Sequence, residues 1–170
     1  YKGKYVFNGT YRYEGSNQMG RSSKARWMST WNVSGSWNVH EEKWFDKLNP
    51  LSHLTLRASY SLTGTPPDAI FTNSVAILRA TTPYRRFASV KEPAIEIADL
   101  ANTGLTYEKK NELNLGVDFG LWRDRVNVTF DIYTRNNFDE MGYTPTEGVG
   151  GKVLRSANIA ELHSHGMELS

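Results

Sequence analysis

Apolar and polar residues alternate along the chain in five runs of about ten residues, and this period of two is what most constrains the fold. The runs occupy residues 3–13, 27–40, 54–63, 112–121 and 126–132. Successive side chains of an extended strand point to opposite faces, so each run predicts a β-strand with one apolar and one polar face. No apolar face carries a charged residue, although Asp, Glu, Lys and Arg make up 22% of the chain. The sequence therefore predicts an all-β protein.

The connections between the runs differ in length in a regular order. Residues 14–26, 64–104 and roughly 137–156 form long connections rich in Gly, Ser, Asn, Thr and Pro, whereas 122–125 is a tight turn and 41–52 is intermediate. Bacterial transmembrane barrels place short turns on the periplasmic side and long loops outside, so that long connections fall at every second position. This order predicts antiparallel up-and-down strands in a transmembrane β-barrel.

A soluble β-sandwich also buries one face of each strand and is the alternative fold. Three features favour the barrel. Runs of about 10 residues match a tilted membrane span, whereas strands of soluble proteins average about 5 to 6. Several of the 5 Trp, 9 Tyr and 7 Phe lie near strand ends, where aromatic girdles sit in membrane barrels. The polar faces hold mostly Asn, Ser, Thr and Gly, which suits a hydrated lumen better than the surface of a soluble domain.

A sixth strand is predicted over roughly residues 158–169, with a register that the sequence leaves open. If Met167 and Leu169 face the lipid, Glu161, His163 and His165 face the same way. Either a β-bulge shifts the register, or this part of the strand lies outside the hydrocarbon.

Composition and motifs exclude several other functions. The formal charge of +2 is too balanced, and its basic residues too dispersed, for a nucleic-acid surface. There is no cysteine, no Gly-x-Ser-x-Gly elbow, no phosphate-binding loop and no HExxH motif. His163 and His165 would share one face of a strand, but a metal site needs a further ligand, and ordinary histidines are the favoured interpretation. We expect no enzyme activity, no cofactor, no metal site and no nucleic-acid partner.

Seven stretches of the chain form, in their order and spacing, a recognisable pattern. They are residues 4–16, 26–42, 54–64, 105–109, 114–120, 125–133 and 166–169. The pattern resembles the barrel region of SusC/RagA-type TonB-dependent outer-membrane transporters of Bacteroidetes, and residues 9–42 are most similar to the RagA-like branch. Tyr107 stands where the family usually has Trp, and Ala160 where it usually has Gly. These departures affect packing more than function.

The resemblance implies an arc of a transmembrane barrel of roughly 22 strands, with residues 1–170 supplying about six of them. It implies a separate plug domain, coupling to TonB, location in the outer membrane, and a SusD/RagB-like surface lipoprotein that delivers oligosaccharides or oligopeptides. The chain starts and stops within alternating runs and shows no signal peptide, plug or TonB box, so we expect it to be part of a longer polypeptide. The alternative function is a secreted β-sandwich that binds carbohydrate.

Three sets of residues are the functional candidates of this interpretation. The lipid-facing set is Tyr5, Phe7, Tyr11, Trp27, Trp31, Trp37, Leu54, Leu56, Tyr60, Leu113, Leu115, Val117, Phe119, Val128, Phe130 and Ile132. The lumen-lining set, which includes residues that would line the solute path, hold the plug or only stabilise the wall through cross-strand ion pairs, is Arg12, Arg57, Glu112, Asp118, Asp131, Arg135 and Glu168. The extracellular-loop set, with a basic pair between two aromatics, is Tyr84, Arg85, Arg86 and Phe87.

Overall fold

The computed structural model describes residues 1–19, 23–45, 50–68, 72, 74–83, 92–148 and 151–170. The chain there is almost entirely β-strand: β1 Tyr5–Gly15, β2 Trp27–Asn38, β3 Leu51–Thr65, β4 Ile77–Thr81, β5 Ala94–Asp99, β6 Glu108–Leu121, β7 Val126–Pro145 and β8 Leu154–Leu169. The helical elements are the 3-10 turns Asn17–Met19 and Val39–Glu41 and one α-helical turn, Ser23–Arg26. No helix within these ranges is both long and apolar enough to cross a bilayer.

Six strands form one antiparallel sheet in the order β1-β2-β3-β6-β7-β8, with β1 and β8 at its edges. Neighbours in the sheet are also neighbours along the chain, except that β4 and β5 form a separate two-stranded sheet between β3 and β6. The prediction of antiparallel up-and-down strands is confirmed. The connections after β2 and β6 lie at one end of the sheet, called here the short-connection end, and the others lie at the long-connection end.

Two connections differ from the sequence-based expectation. The segment 137–156 was predicted as a long loop, which is wrong: β7 continues to Pro145, and β8 begins at Leu154. Backbone pairs such as Tyr143 with Ser156 extend this hairpin. In the part of this hairpin near its tip, charged residues occur on both faces of β7. The alternation of apolar and polar residues therefore could not reveal the strand. The second difference is the β4–β5 ribbon within 64–104.

The register of β8 shows which face of the strand carries His163 and His165, a point that the sequence left open. His165 pairs with Thr134 and Met167 with Ile132, without interruption, so His163 and His165 stay on the face of Met167. The irregularity lies further along, where Asn137 and Glu140 pair out of step and Asp139 has a φ of +58°. In β8, the apolar run that includes Met167 therefore ends between Met167 and His165.

The main buried cluster lies at the long-connection end, not along a face of the sheet. Pairing of β2 with β3 begins only at Trp31 and Leu62, so the two strands separate beyond that point. Leu62 packs there against the cluster, and the Tyr107 hydroxyl donates a hydrogen bond of 2.9 Å to the Arg26 carbonyl. Burial raises the pKa of Tyr107 from its ordinary value. The cluster consists of Met19, Ala25, Met28, Leu105 and Tyr107.

Candidate functional site

The strand pairing places every member of the predicted lipid-facing set on one face of the six-stranded sheet. One row across the sheet shows this directly, because its members are consecutive partners from β1 to β7. The row is Tyr5, Trp37, Leu56, Val117 and Phe130. We call this side the apolar face.

The apolar face is uncovered in the described part of the chain. Phe7 is 77% exposed, Tyr11 68% and Met167 75%. Aromatic side chains on this face contact one another across strands, as in the edge-to-face pair of Trp31 and Tyr60 with ring centroids 5.2 Å apart. A β-sandwich would cover such a face with a second sheet, and the described strands provide none over it.

The end of the continuous apolar run on this face shifts along the strands from β3 to β7. The continuous apolar run on this face ends, toward the long-connection end, at Leu62 in β3, Leu113 in β6 and Ile132 in β7, with Met167 beside Ile132 in β8. Phe138 of β7 lies on the same face beyond Thr134 and Asn136. Leu62 pairs with Asn111, so the limit in β6 already lies two residues lower. From β3 to β8 the shift is about 14 Å along the strands over about 14 Å across the sheet, which corresponds to a tilt of about 45°. Strands of membrane barrels are tilted by about 35–45°.

Every member of the lumen-lining set lies on the opposite, polar face. Arg57 of β3 is the centre of an ion-pair network there. Its Nε lies 2.7 Å from Asp118 Oδ2, and its Nη2 lies 3.0 Å from Asp131 Oδ1. Since Asp131 belongs to β7, the guanidinium reaches across the whole of β6, passing over Gly116. A Cβ on Gly116 would lie 2.9 Å from Arg57 Cζ and would also clash with the Asp131 carboxylate.

A second network lies nearer the long-connection end of the polar face. Arg135 Nε approaches Glu112 Oε2 at 2.8 Å, and Lys110 Nζ approaches the same oxygen at 3.2 Å. Asn114 Nδ2 donates to the other oxygen, Glu112 Oε1, at 3.1 Å. Lys110 was missed by the sequence reasoning, although its i, i+2 spacing from Glu112 places both on one face of the strand.

The remaining lumen-lining candidates lie on the edge strands. Arg12 of β1 pairs with Glu14 of the same strand at 3.0 Å. Glu168 of β8 lies beside Asp131 in the register. The structure therefore joins five of the seven candidates into two networks and leaves these two apart. The extracellular-loop set, Tyr84, Arg85, Arg86 and Phe87, lies outside the described residues.

Between the two networks, hydroxyl and amide groups line a shallow depression of about 250 Å³ on the polar face. Asn8, Ser34, Ser59 and Asn114 are consecutive partners across four strands. Arg57 and Asp131 border the depression. No single Ser or Asn carries a recognisable chemistry in the sequence, and only the register brings these groups into one row.

At the short-connection end, Glu42 joins the first turn of the chain to the connection after β2. Its carboxylate lies 2.7 Å from Lys4 Nζ and accepts a hydrogen bond of 2.8 Å from the Tyr5 hydroxyl. The hydrogen bond from Lys4, together with that from Tyr5, lowers the pKa of Glu42 from its ordinary value. This contact, called here the Glu42 clasp, holds β1 against β2 together with the hydrogen bond from Asn38 Nδ2 to the Gly3 carbonyl.

The histidine pair does not form a metal site among the described residues. His163 Nε2 lies 3.3 Å from Glu161 Oε1, and Asn136 donates to that same oxygen at 3.0 Å. No group of three or more His, Asp and Glu side chains in the described ranges is arranged to hold a metal ion.

Comparison with known proteins places this sheet in a family. Residues 1–170 match the model of the family described as TonB dependent receptor-like, beta-barrel. The chain is 27% identical over its whole length to TonB-dependent receptor P3 of Formosa agariphila, and 26% identical over 98% of its length to TonB-dependent receptor SusC of Bacteroides thetaiotaomicron. It spans only 16% and 17% of those two relatives.

Solved structures share the fold. The structure of the RagAB peptide transporter superposes with a TM-score of 0.75 at 22% identity, covering 98% of this chain and 18% of that chain. The RagAB peptide importer in its closed-closed state gives a TM-score of 0.73 at 23% identity, covering 98% and 17%. The predicted arc of a β-barrel and the resemblance to the SusC/RagA type are thus confirmed. The chain belongs to the TonB-dependent receptor β-barrel family.

Proposed function

We propose that this chain is part of the wall of an outer-membrane nutrient importer. Its six-stranded sheet spans the outer membrane, with the apolar face toward lipid and the polar face toward the lumen. Uptake is TonB-dependent, and a SusD/RagB-like surface lipoprotein delivers oligosaccharides or oligopeptides. Membership of the TonB-dependent receptor family and the likeness to SusC support this proposal. The family is one of receptors and transporters, and we assign no catalysis to the segment.

The observation that carries the proposal is the segregation of the two faces. Strand pairing gathers most of the exposed apolar side chains of the sheet on one side and the ion-pair networks on the other, with Val6 and Leu162 as exceptions on the polar side. Lipid contacts on one side and water on the other explain this arrangement, because the apolar residues then leave water without a second sheet to cover them. The shift of the apolar run from strand to strand supports the same conclusion. Where strands are tilted in a membrane, a lipid-facing band that is parallel to the membrane ends at a different height along each strand.

The polar face suits a wall along which a polar solute or a plug surface moves. Arg57 faces two carboxylates and Glu112 faces two cations, so Arg57 and Asp131, the charged residues that line the depression, are paired with each other. A solute in the lumen would meet exchangeable hydrogen-bonding groups on Asn8, Ser34 and Ser59. Such groups hold a polar molecule weakly, which permits both entry and release.

Val117→Arg tests the lipid-facing assignment in the full-length protein. Arginine on a lipid face costs about 2–4 kcal/mol near the bilayer midplane. We therefore expect poor insertion and a lower urea midpoint in lipid vesicles. Ser34→Arg places the same side chain on the polar face and should insert like the parent. If both variants folded equally well in vesicles, the assignment of the two faces would be wrong.

A further inference from the structure

The turn between β6 and β7 has an unusual backbone. Trp122, Arg123 and Asp124 have φ angles of +52°, +60° and +60°, although none of them is glycine. L-residues rarely adopt this left-handed region, and a run of three requires the surrounding structure to hold it.

The beginning of β3 provides that support. The Trp122 backbone N–H donates to the Pro50 carbonyl at 3.1 Å, and the Asp124 N–H donates to Ser52 Oγ at 3.1 Å. The Asp124 carboxylate lies 2.9 Å from His53 Nδ1. Because His53 engages Asp124, this carboxylate is not paired with Arg123 or Arg125. Within the described residues, neither arginine forms an ion pair.

These side chains line a groove of about 470 Å³ at the short-connection end. Trp122, 59% exposed, and the two arginines form one part, and Pro50, Leu51 and Ser52 form the other. The groove adjoins the last row of the apolar face, where Leu121 pairs with both Leu51 and Val126. An apolar surface thus runs directly into an aromatic ring and two guanidinium groups that have no ion-pair partner in the described part of the chain.

We propose that this groove binds the phosphate group of a glycerophospholipid in the leaflet nearer the short connections, with an acyl chain along Leu121 and Val126. The proposal rests on the proposed function, since it requires the apolar face to contact lipid. Guanidinium groups bind phosphate oxygens through paired N–H donors, and Trp is favoured at the level of lipid headgroups. The rigid left-handed turn would fix both arginines where the hydrocarbon ends.

A lipid fits the groove better than a free phosphate ion. The lining contains leucine, proline and tryptophan beside the arginines, and it is continuous with the apolar face. A free anion would gain nothing from those apolar groups, whereas a lipid buries part of its glycerol and chain against them. The arginine pair carries a charge opposite to that of phosphatidylglycerol.

The test measures phosphatidylglycerol binding to the full-length protein in detergent by native mass spectrometry. The Arg123→Gln, Arg125→Gln double variant should bind this lipid about ten- to a hundredfold more weakly, because charge-assisted hydrogen bonds are lost. Arg155→Gln, which alters an arginine at the tip of the β7–β8 hairpin, should bind like the parent. Equal affinity in parent and double variant would overturn the site. Displacement of the lipid by equimolar inorganic phosphate would overturn the lipid as its occupant.

A second variant covers failure of the glutamine pair to fold. The Arg123→Lys, Arg125→Lys variant keeps both charges but not the forked geometry, so we expect severalfold weaker binding. Unchanged affinity would show that the arginines are not ligands. Failure of this site would leave normal uptake and the Val117→Arg defect in place. Failure of the proposed function would appear instead as normal insertion of Val117→Arg.

Discussion

At the scale of single residues, glycines on the polar face make room for side chains of neighbouring strands. Arg57 passes over Gly116, the His53 and Asp124 side chains meet over Gly120, and the Tyr133 ring lies over Gly166. A Cβ at Gly166 would be 2.6 Å from Tyr133 Cζ. These side chains lie flat against the wall instead of projecting from it. Glycine is needed at these positions for close approach, not for backbone freedom.

Gly116→Ala should therefore destabilise the full-length protein. The added methyl group would push Arg57 away from Asp131, and overpacking of this kind costs about 1–3 kcal/mol. Gly35→Ala is the matched control, because the nearest atom to its Cβ, the Val6 carbonyl oxygen, lies 3.6 Å away in ordinary contact. Urea unfolding in lipid vesicles measures both. Equal midpoints for the two variants would contradict the bridging role of Arg57.

At the scale of elements, the Glu42 clasp predicts a dependence of stability on pH. The lowered pKa of Glu42 in the folded protein means that its contribution is fully present above its unfolded pKa of about 4.3. The contribution is lost as the pH falls through the folded pKa. Glu42→Gln should therefore lower the urea midpoint of the full-length protein at neutral pH, and the difference from the parent should shrink in acid.

Glu41→Gln is the control for this prediction. Glu41 precedes the clasp residue, and among the described residues its ion pair is with His40, with 3.7 Å between Oε1 and Nε2. We expect little change in the midpoint of Glu41→Gln at any pH. If the difference in urea midpoint between Glu42→Gln and the parent were the same at every pH, the clasp would not contribute through the charge of Glu42.

The faces of the strands could be predicted from the sequence, whereas their partners could not. Alternation fixes which residues share a side of one strand, so the positions of Val117 and Arg57 followed from parity alone. The pairing of Arg57 with Asp131 depends on the register between three strands, which no local pattern specifies. The long β7–β8 hairpin was missed because charged residues interrupt the apolar ones on its faces, and the left-handed turn at Trp122 was missed because no glycine marks it.

At the scale of the whole molecule, the six strands form an open sheet. β1 and β8 are unpaired on their outer sides within the described chain, and the apolar face is uncovered. We expect the 170-residue segment, expressed alone, to aggregate in buffer without detergent, because exposed strand edges and apolar surface both promote association. Analytical ultracentrifugation measures this. A folded, soluble monomer would instead favour the β-sandwich alternative.

The length of β7 determines how far the β7–β8 hairpin extends beyond the apolar run. The strand continues from Ile132, where the continuous apolar run ends, to Pro145, a distance of about 44 Å at 3.4 Å per residue. In the proposed outer-membrane orientation, with strands inclined by about 45°, the hairpin tip would stand about 30 Å above the hydrocarbon. In that orientation, bacteriophages and antibodies that approach from outside would meet this paired ribbon first.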